Sequence, residues 1–153
     1  MLHSNLLRSV IYIASIFGMY LSAAMFLPAM ADLYYLNDDW MVFASSGFIC
    51  GSLALGCALA TRGPVIAFNK RFGFLLVNGL WITFSLIGSV PLYLSELNLS
   101  FSQALFESVS AITTTGATVI SGLDNAPQGI LLWRSLLCWL GGIGIVALGL
   151  FIL

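Results

Sequence analysis

The sequence predicts an all-α membrane protein: four transmembrane helices, with a short re-entrant half-helix and an extended segment between the last two. Three observations lead there. Of the 153 residues, 60% are hydrophobic and 7% charged, whereas charged residues make up about a quarter of an ordinary soluble domain. Four apolar runs reach the ~20 residues that a helix needs to cross a hydrocarbon core about 30 Å thick. The connection ahead of the fourth run is too apolar for a solvated loop and too short for another crossing and return. The same composition excludes other classes. Five Lys and Arg against six Asp and Glu leave no basic surface for the phosphates of a nucleic acid. The cysteines, Cys50, Cys57 and Cys138, all sit inside apolar runs, and an odd number of buried thiols argues against a disulfide framework or a metal cluster.

The first span is Val10 to Ala31, an uncharged run. Arg8, the apolar stretch and the small residues Ala29 and Ala31 also imitate a cleaved signal peptide, but the apolar region of such a peptide is shorter, and three further spans follow. The second span is Trp40 to Thr61, with Gly47 and Gly51 as a GxxxG pair suited to close helix packing. Phe72 to Ser95 forms the third. The fourth runs from Ile130 to the C-terminus, and its one charge, Arg134, is close enough to the start to snorkel to the interface.

Basic residues set the orientation. The loop after the first span carries Asp32, Asp38 and Asp39, and the loop after the second carries Arg62, Lys70 and Arg71, so the second loop and both termini are expected in the cytoplasm. Arg8 agrees, and the acidic third connection, with Glu96, Glu107 and Asp124, falls outside. Tyr34, Tyr35, Trp40, Tyr93 and Trp133 lie near expected outer ends, where amphipathic aromatics anchor at the headgroups. Membrane lipid is therefore an expected partner.

Within residues 94–128, Phe101, Leu105, Val109 and Ile112 recur at steps that mark one helical face, with Ser100 as N-cap. Twelve residues at 1.5 Å each reach about 18 Å, roughly half way across the core. Thr113, Thr114, Thr115, Gly116, Ala117 and Thr118 follow without an apolar period and stop the helix. Non-helical backbone at membrane depth is tolerated only when buried in protein or lining a watery cavity. Such backbone can present carbonyls that replace the hydration shell of a potassium ion. Gly116 lets one peptide take a positive φ, and the C-terminal end of the half-helix adds a partial negative charge. Thr113, Thr114, Thr115 and Gly116 are thus the candidate cation ligands, mainly through backbone carbonyls. An ordinary polar turn is the alternative reading of the run taken alone.

The stretch Phe106 to Thr118, followed by Leu132 to Leu137 and Trp139 to Val146, closely resembles the first pore repeat of the TrkH proteins. These are the membrane subunits of bacterial Trk potassium uptake systems, within the Trk/Ktr/HKT superfamily. The resemblance implies a two-helix preamble over residues 1–71 and a first helix, pore loop, helix repeat over residues 72–153. It also implies a bacterial cytoplasmic (inner) membrane location, potassium ion as transported substrate and no cofactor. By the same likeness the partners are the remaining pore repeats, a second copy in a dimer and a cytosolic nucleotide-binding regulatory subunit. The family carries four repeats in one chain, so this chain, ending inside an apolar run, is expected to be a fragment that does not conduct selectively alone.

Glu107 is expected as a carboxylate behind the filter that bonds backbone amides or pairs with Arg134. Asp124 reads either as an attractor of cations at the outer mouth or as a solvated loop acid. Gly142, Gly144 and Ala147 spell a dinucleotide pattern, but without the preceding strand the glycines read as letting helices approach closely or bend. Asn98, Leu99 and Ser100 spell a glycosylation sequon, which has meaning only in a eukaryotic secretory pathway. An intramembrane enzyme is disfavoured, since the four predicted spans contain no His, Asp or Glu. The alternative to potassium uptake is a non-conducting membrane fragment or assembly protein.

Overall fold

The computed structural model describes residues 2–63, 70–123 and 126–152, and all its regular elements are helices. In chain order these are α1 (Leu2–Ala24), α2 (Phe26–Tyr34), α3 (Trp40–Ala60), α4 (Lys70–Leu94), α5 (Phe101–Ile112) and α6 (Gln128–Ile152). Among the described residues, three helical stretches are long and apolar enough to cross a membrane: Asn5–Tyr34, Trp40–Ala60 and Arg71–Leu94. The chain is a membrane protein. α6 also has the length of a span, at 25 residues.

The first span runs past the expected Ala31 to Tyr34 and breaks at Met25. Pro28 causes the break, because its ring excludes the carbonyl four residues back, that of Ala24, from the helical ladder. The Met25 N–H turns instead to the Ser22 carbonyl at 3.2 Å. The extension places Asp32 inside α2, completely buried, so the expectation of spans free of carboxylates is corrected.

α3 packs on α1 through a stripe of mostly small residues, Ser46, Gly47, Cys50, Ala54 and Ala58, which lets backbones approach closely where lipid supplies no hydrophobic drive between helices. Large apolar side chains on the other sides point away from the protein, Phe48, Leu53, Phe74 and Ile82 among them. That distribution suits a hydrocarbon surround and would be a liability in water.

The core lies where α5 wedges between α4 and α6 with α2 beside them. Met25, Phe43, Leu92, Ile112, Ile130, Trp133 and Leu137 fill it. Trp133 was expected at the headgroups and is instead buried, its indole N–H donating to the Gly88 carbonyl at 2.9 Å and its ring meeting Phe43 edge-on at 6.2 Å. A buried indole needs such a partner. Tyr34, Tyr35 and Tyr93 are exposed.

Candidate functional site

α5 begins at Ser100, whose hydroxyl accepts from the Gln103 N–H while the Gln103 side chain accepts from the Ser100 N–H. This reciprocal cap fixes where the half-helix starts. Its buried face is Ala104, Glu107, Ser108, Ser110, Ala111 and Ile112. Phe101, Phe106 and Val109 point outward. The apolar face read from the sequence is therefore largely the outer one, because small and polar residues are what allow α5 to seat against α4 and α6. Gly141 on α6 meets the end of α5 so closely that a Cβ there would lie 1.8 Å from the Ile112 carbonyl oxygen. Gly142 and Gly144, read as letting helices approach closely or bend, have no described atom within 4 Å of a Cβ position.

After Ile112 the chain turns and then runs without regular structure as far as Ile120. Thr114 stands at φ 57° and Gly116 at φ 77°. For glycine this conformation is nearly free. For a β-branched residue it costs on the order of 1–3 kcal/mol, and the turn holds Thr114 there by hydrogen bonds on both sides. The Thr114 N–H donates to the Ala111 carbonyl at 2.9 Å, and the Thr115 and Gly116 N–H groups converge on the Ser110 carbonyl at 3.0 and 3.4 Å. The Thr113 hydroxyl reaches the Val109 carbonyl at 2.7 Å and lies 2.8 Å from the Thr115 hydroxyl. The Ser110 hydroxyl donates to the Ala117 carbonyl at 2.6 Å. Ser110 is thus the pivot of the turn, a role that its position in a helical pattern did not signal. Among the described residues, no hydrogen bond is accepted by the carbonyls of Thr113, Thr114, Thr115 or Gly116, and these residues are exposed.

Behind this segment lies Glu107, fully buried. Its Oε1 accepts from the Thr118 hydroxyl at 2.6 Å, the Val119 N–H at 2.5 Å and the Ile120 N–H at 3.3 Å. Arg134, reaching across from α6, brings its Nε within 2.9 Å of Oε2. The Nε–H is not aimed at that oxygen, so the contact is a charge pair rather than a straight hydrogen bond. Both roles foreseen for Glu107, amide acceptor and partner of Arg134, occur together. Asp124 lies outside the described residues, as does the side chain of Lys70.

Two carboxylates that the sequence placed in a solvated loop are buried instead. Asp32 accepts the N–H of Gly129 at 2.6 Å, and Asp39 accepts that of Glu96 at 3.3 Å. Burial pushes the Asp39 carboxyl above the ordinary carboxylate range; the Glu96 N–H opposes this, and the charges of Glu96, Asp32 and Asp38 add to it. No local pattern announces a partner so far along the chain.

Residues 40–153 match the family model TrkH, described as a cation transport protein. The chain belongs to the TrkH family. It is 38% identical over 150 residues to the Trk system potassium uptake protein TrkH of Vibrio parahaemolyticus, covering 95% of this chain and 30% of that protein. It is 39% identical over 133 residues to the Trk system potassium uptake protein TrkG of Escherichia coli K12, covering 86% of this chain and 27% of that one. The crystal structure of the potassium transporter TrkH from Vibrio parahaemolyticus superposes on this TrkH-family chain with a TM-score of 0.89 at 37% identity, over 95% of this chain and 31% of that one. The chain thus spans less than a third of the length of these relatives.

Proposed function

We propose that this chain contributes the first of four selectivity-filter segments of a potassium uptake pathway in a bacterial cytoplasmic membrane. Residues 1–71 form a two-helix preamble and residues 72–153 the first pore repeat. α6 completes the repeat as a fourth span, and α5 enters the membrane without crossing it. Potassium passes along the carbonyls of Thr113, Thr114, Thr115 and Gly116, and Glu107 with Arg134 holds the segment from behind. One observation carries this reading: the segment's back is bonded to a buried carboxylate, while the carbonyls of Thr113 to Gly116 accept no described hydrogen bond. Unclaimed carbonyls can replace water around a dehydrated ion, and the C-terminal end of α5 adds negative potential at the same place. The remaining ligands come from further repeats. The likeness to Trk proteins supports a dimer and a cytosolic nucleotide-binding regulatory subunit as partners.

The experiment is potassium-dependent growth and sodium permeation of an uptake-deficient strain expressing the complete protein, normalised to protein in the membrane. Gly116→Ser is expected to lower potassium-over-sodium discrimination by about tenfold, since a side chain at a left-handed position costs about 1–2 kcal/mol and tilts the adjoining carbonyls. Unchanged discrimination would return Thr113 to Gly116 to the status of a polar turn.

The same reading places Arg62, Lys70 and Arg71 in the cytoplasm, N-terminus inside, and Thr118 toward the outer face. An impermeant thiol reagent applied to intact cells is expected to label a cysteine introduced at 118 and to spare one at 70. Labelling at 70 from outside would reverse the orientation.

A further inference from the structure

The connection between α4 and α6 is gripped at both ends by buried aspartates of the preceding helices. Asp32 on α2 is fully buried, and its Oδ1 accepts the Gly129 N–H, in the first turn of α6, at 2.6 Å, together with the Asn37 side-chain amide at 3.2 Å. The packing is tight enough that a Cβ on residue 129 would lie 2.1 Å from Oδ2. Asp39, at the entry to α3 and 2% exposed, accepts through Oδ1 the N–H of Glu96, just beyond the end of α4. The second oxygen of each carboxylate is buried without a hydrogen-bond partner.

A half-satisfied buried carboxylate is costly, and such groups ordinarily find further donors. Here each carboxylate oxygen that is engaged holds one backbone N–H, at residue 96 or residue 129, the two points between which α5 and the extended segment are strung. Ala126 and Pro127, ahead of α6, have no side-chain acceptor to cap it. The cap comes instead from 97 residues away, with the sign that a helix N-terminus favours.

We infer that Asp32 and Asp39 are positioning residues for the filter, a two-point clamp through which the N-terminal helices set the height of residues 113–120. The inference rests on the filter reading above. Neither aspartate is among the described hydrogen-bond partners of residues 113–120, so the clamp acts through the ends of α4 and α6. Asp32 has the larger share, because the N-terminus of α6 also leads into the turn that brings Arg134 to Glu107.

The test compares Asp32→Ala and Asp32→Asn in the complete protein, reading ion discrimination and amide hydrogen exchange at Gly129 and at Thr118 to Ile120. Asparagine keeps the accepting oxygen and the volume. Asp32→Ala is expected to speed exchange at Gly129 and to cut potassium-over-sodium discrimination by about tenfold, as loss of a buried acceptor implies, while Asp32→Asn stays within about twofold on both. Faster exchange with wild-type discrimination would reduce the aspartate to a structural cap and overturn the clamp. So would an asparagine variant as impaired as alanine. If Asp32→Ala does not accumulate, Asp39→Ala provides the same comparison at Glu96, with the same loss expected and wild-type discrimination again fatal to the proposal. Gly116→Ser, measured in parallel, separates the two ideas. If it leaves discrimination intact, the filter reading fails, and the clamp is judged on exchange at Thr118 to Ile120 after Asp32→Ala: faster supports it, unchanged overturns it.

Discussion

Replacing Glu107 with alanine is expected to cost about 3–5 kcal/mol, the range for removing one partner of a buried charge pair. That is a large share of a total stability of about 5–15 kcal/mol. The loss has two parts. The Arg134 guanidinium, 14% exposed in its side chain, is left without its counter-charge. The Thr118 hydroxyl and the Val119 and Ile120 N–H groups lose their shared acceptor. Glu107→Gln separates these parts, since an amide oxygen still accepts from the three donors but no longer balances the arginine. Arg134→Met alone strands the carboxylate. Combining it with Glu107→Gln removes both charges, and the double variant is expected to be more stable than the Arg134→Met single. Thermal unfolding of the purified protein decides this. A double variant no better than Arg134→Met would show that charge pairing is not what holds these helices together.

Gly141→Ala is expected to be the most damaging glycine-to-alanine change among the described glycines of α6. The added Cβ would stand 1.8 Å from the Ile112 carbonyl oxygen and 2.7 Å from its carbon. Both atoms are backbone at the end of α5, so no side-chain rotation relieves the overlap. Separating the two helices costs at least the roughly 1–3 kcal/mol of an overpacked core, and it displaces the turn at Thr113. Gly142→Ala meets nothing within 4 Å and gains up to about 1 kcal/mol of helix propensity. Midpoints of thermal unfolding, with potassium uptake alongside, are expected to separate these neighbours by several degrees. Equal effects at 141 and 142 would refute the close seating of α5 on α6.

The elements governed by local rules were legible in the sequence. α5 spans Phe101–Ile112 as its periodicity and the Ser100 cap require, and the two contacts of Glu107 follow from the cost of an unpaired buried carboxylate. What stayed hidden depends on contacts between distant segments. Periodicity shows that α5 has two faces but not which one will pack, and here the small, polar face is the one that seats against α4 and α6. Trp133 carries the composition signal of a headgroup anchor, yet the Gly88 carbonyl, available on α4, draws it inside. Asp32 and Asp39 resemble ordinary loop acids because their partners, Gly129 and Glu96, lie on elements that folding alone brings near.

The bond from Asp32 to Gly129 has a consequence in time. Its partners are 97 residues apart, and at a synthesis rate of about 5–20 residues per second the acceptor waits roughly 5–20 s for its donor to be made. During that interval Asp32, near the end of the stretch Asn5–Tyr34, has no Gly129 N–H to accept. The contact between α2 and the start of α6 is therefore closed only after α6 has been made, although α2 is among the first segments synthesised.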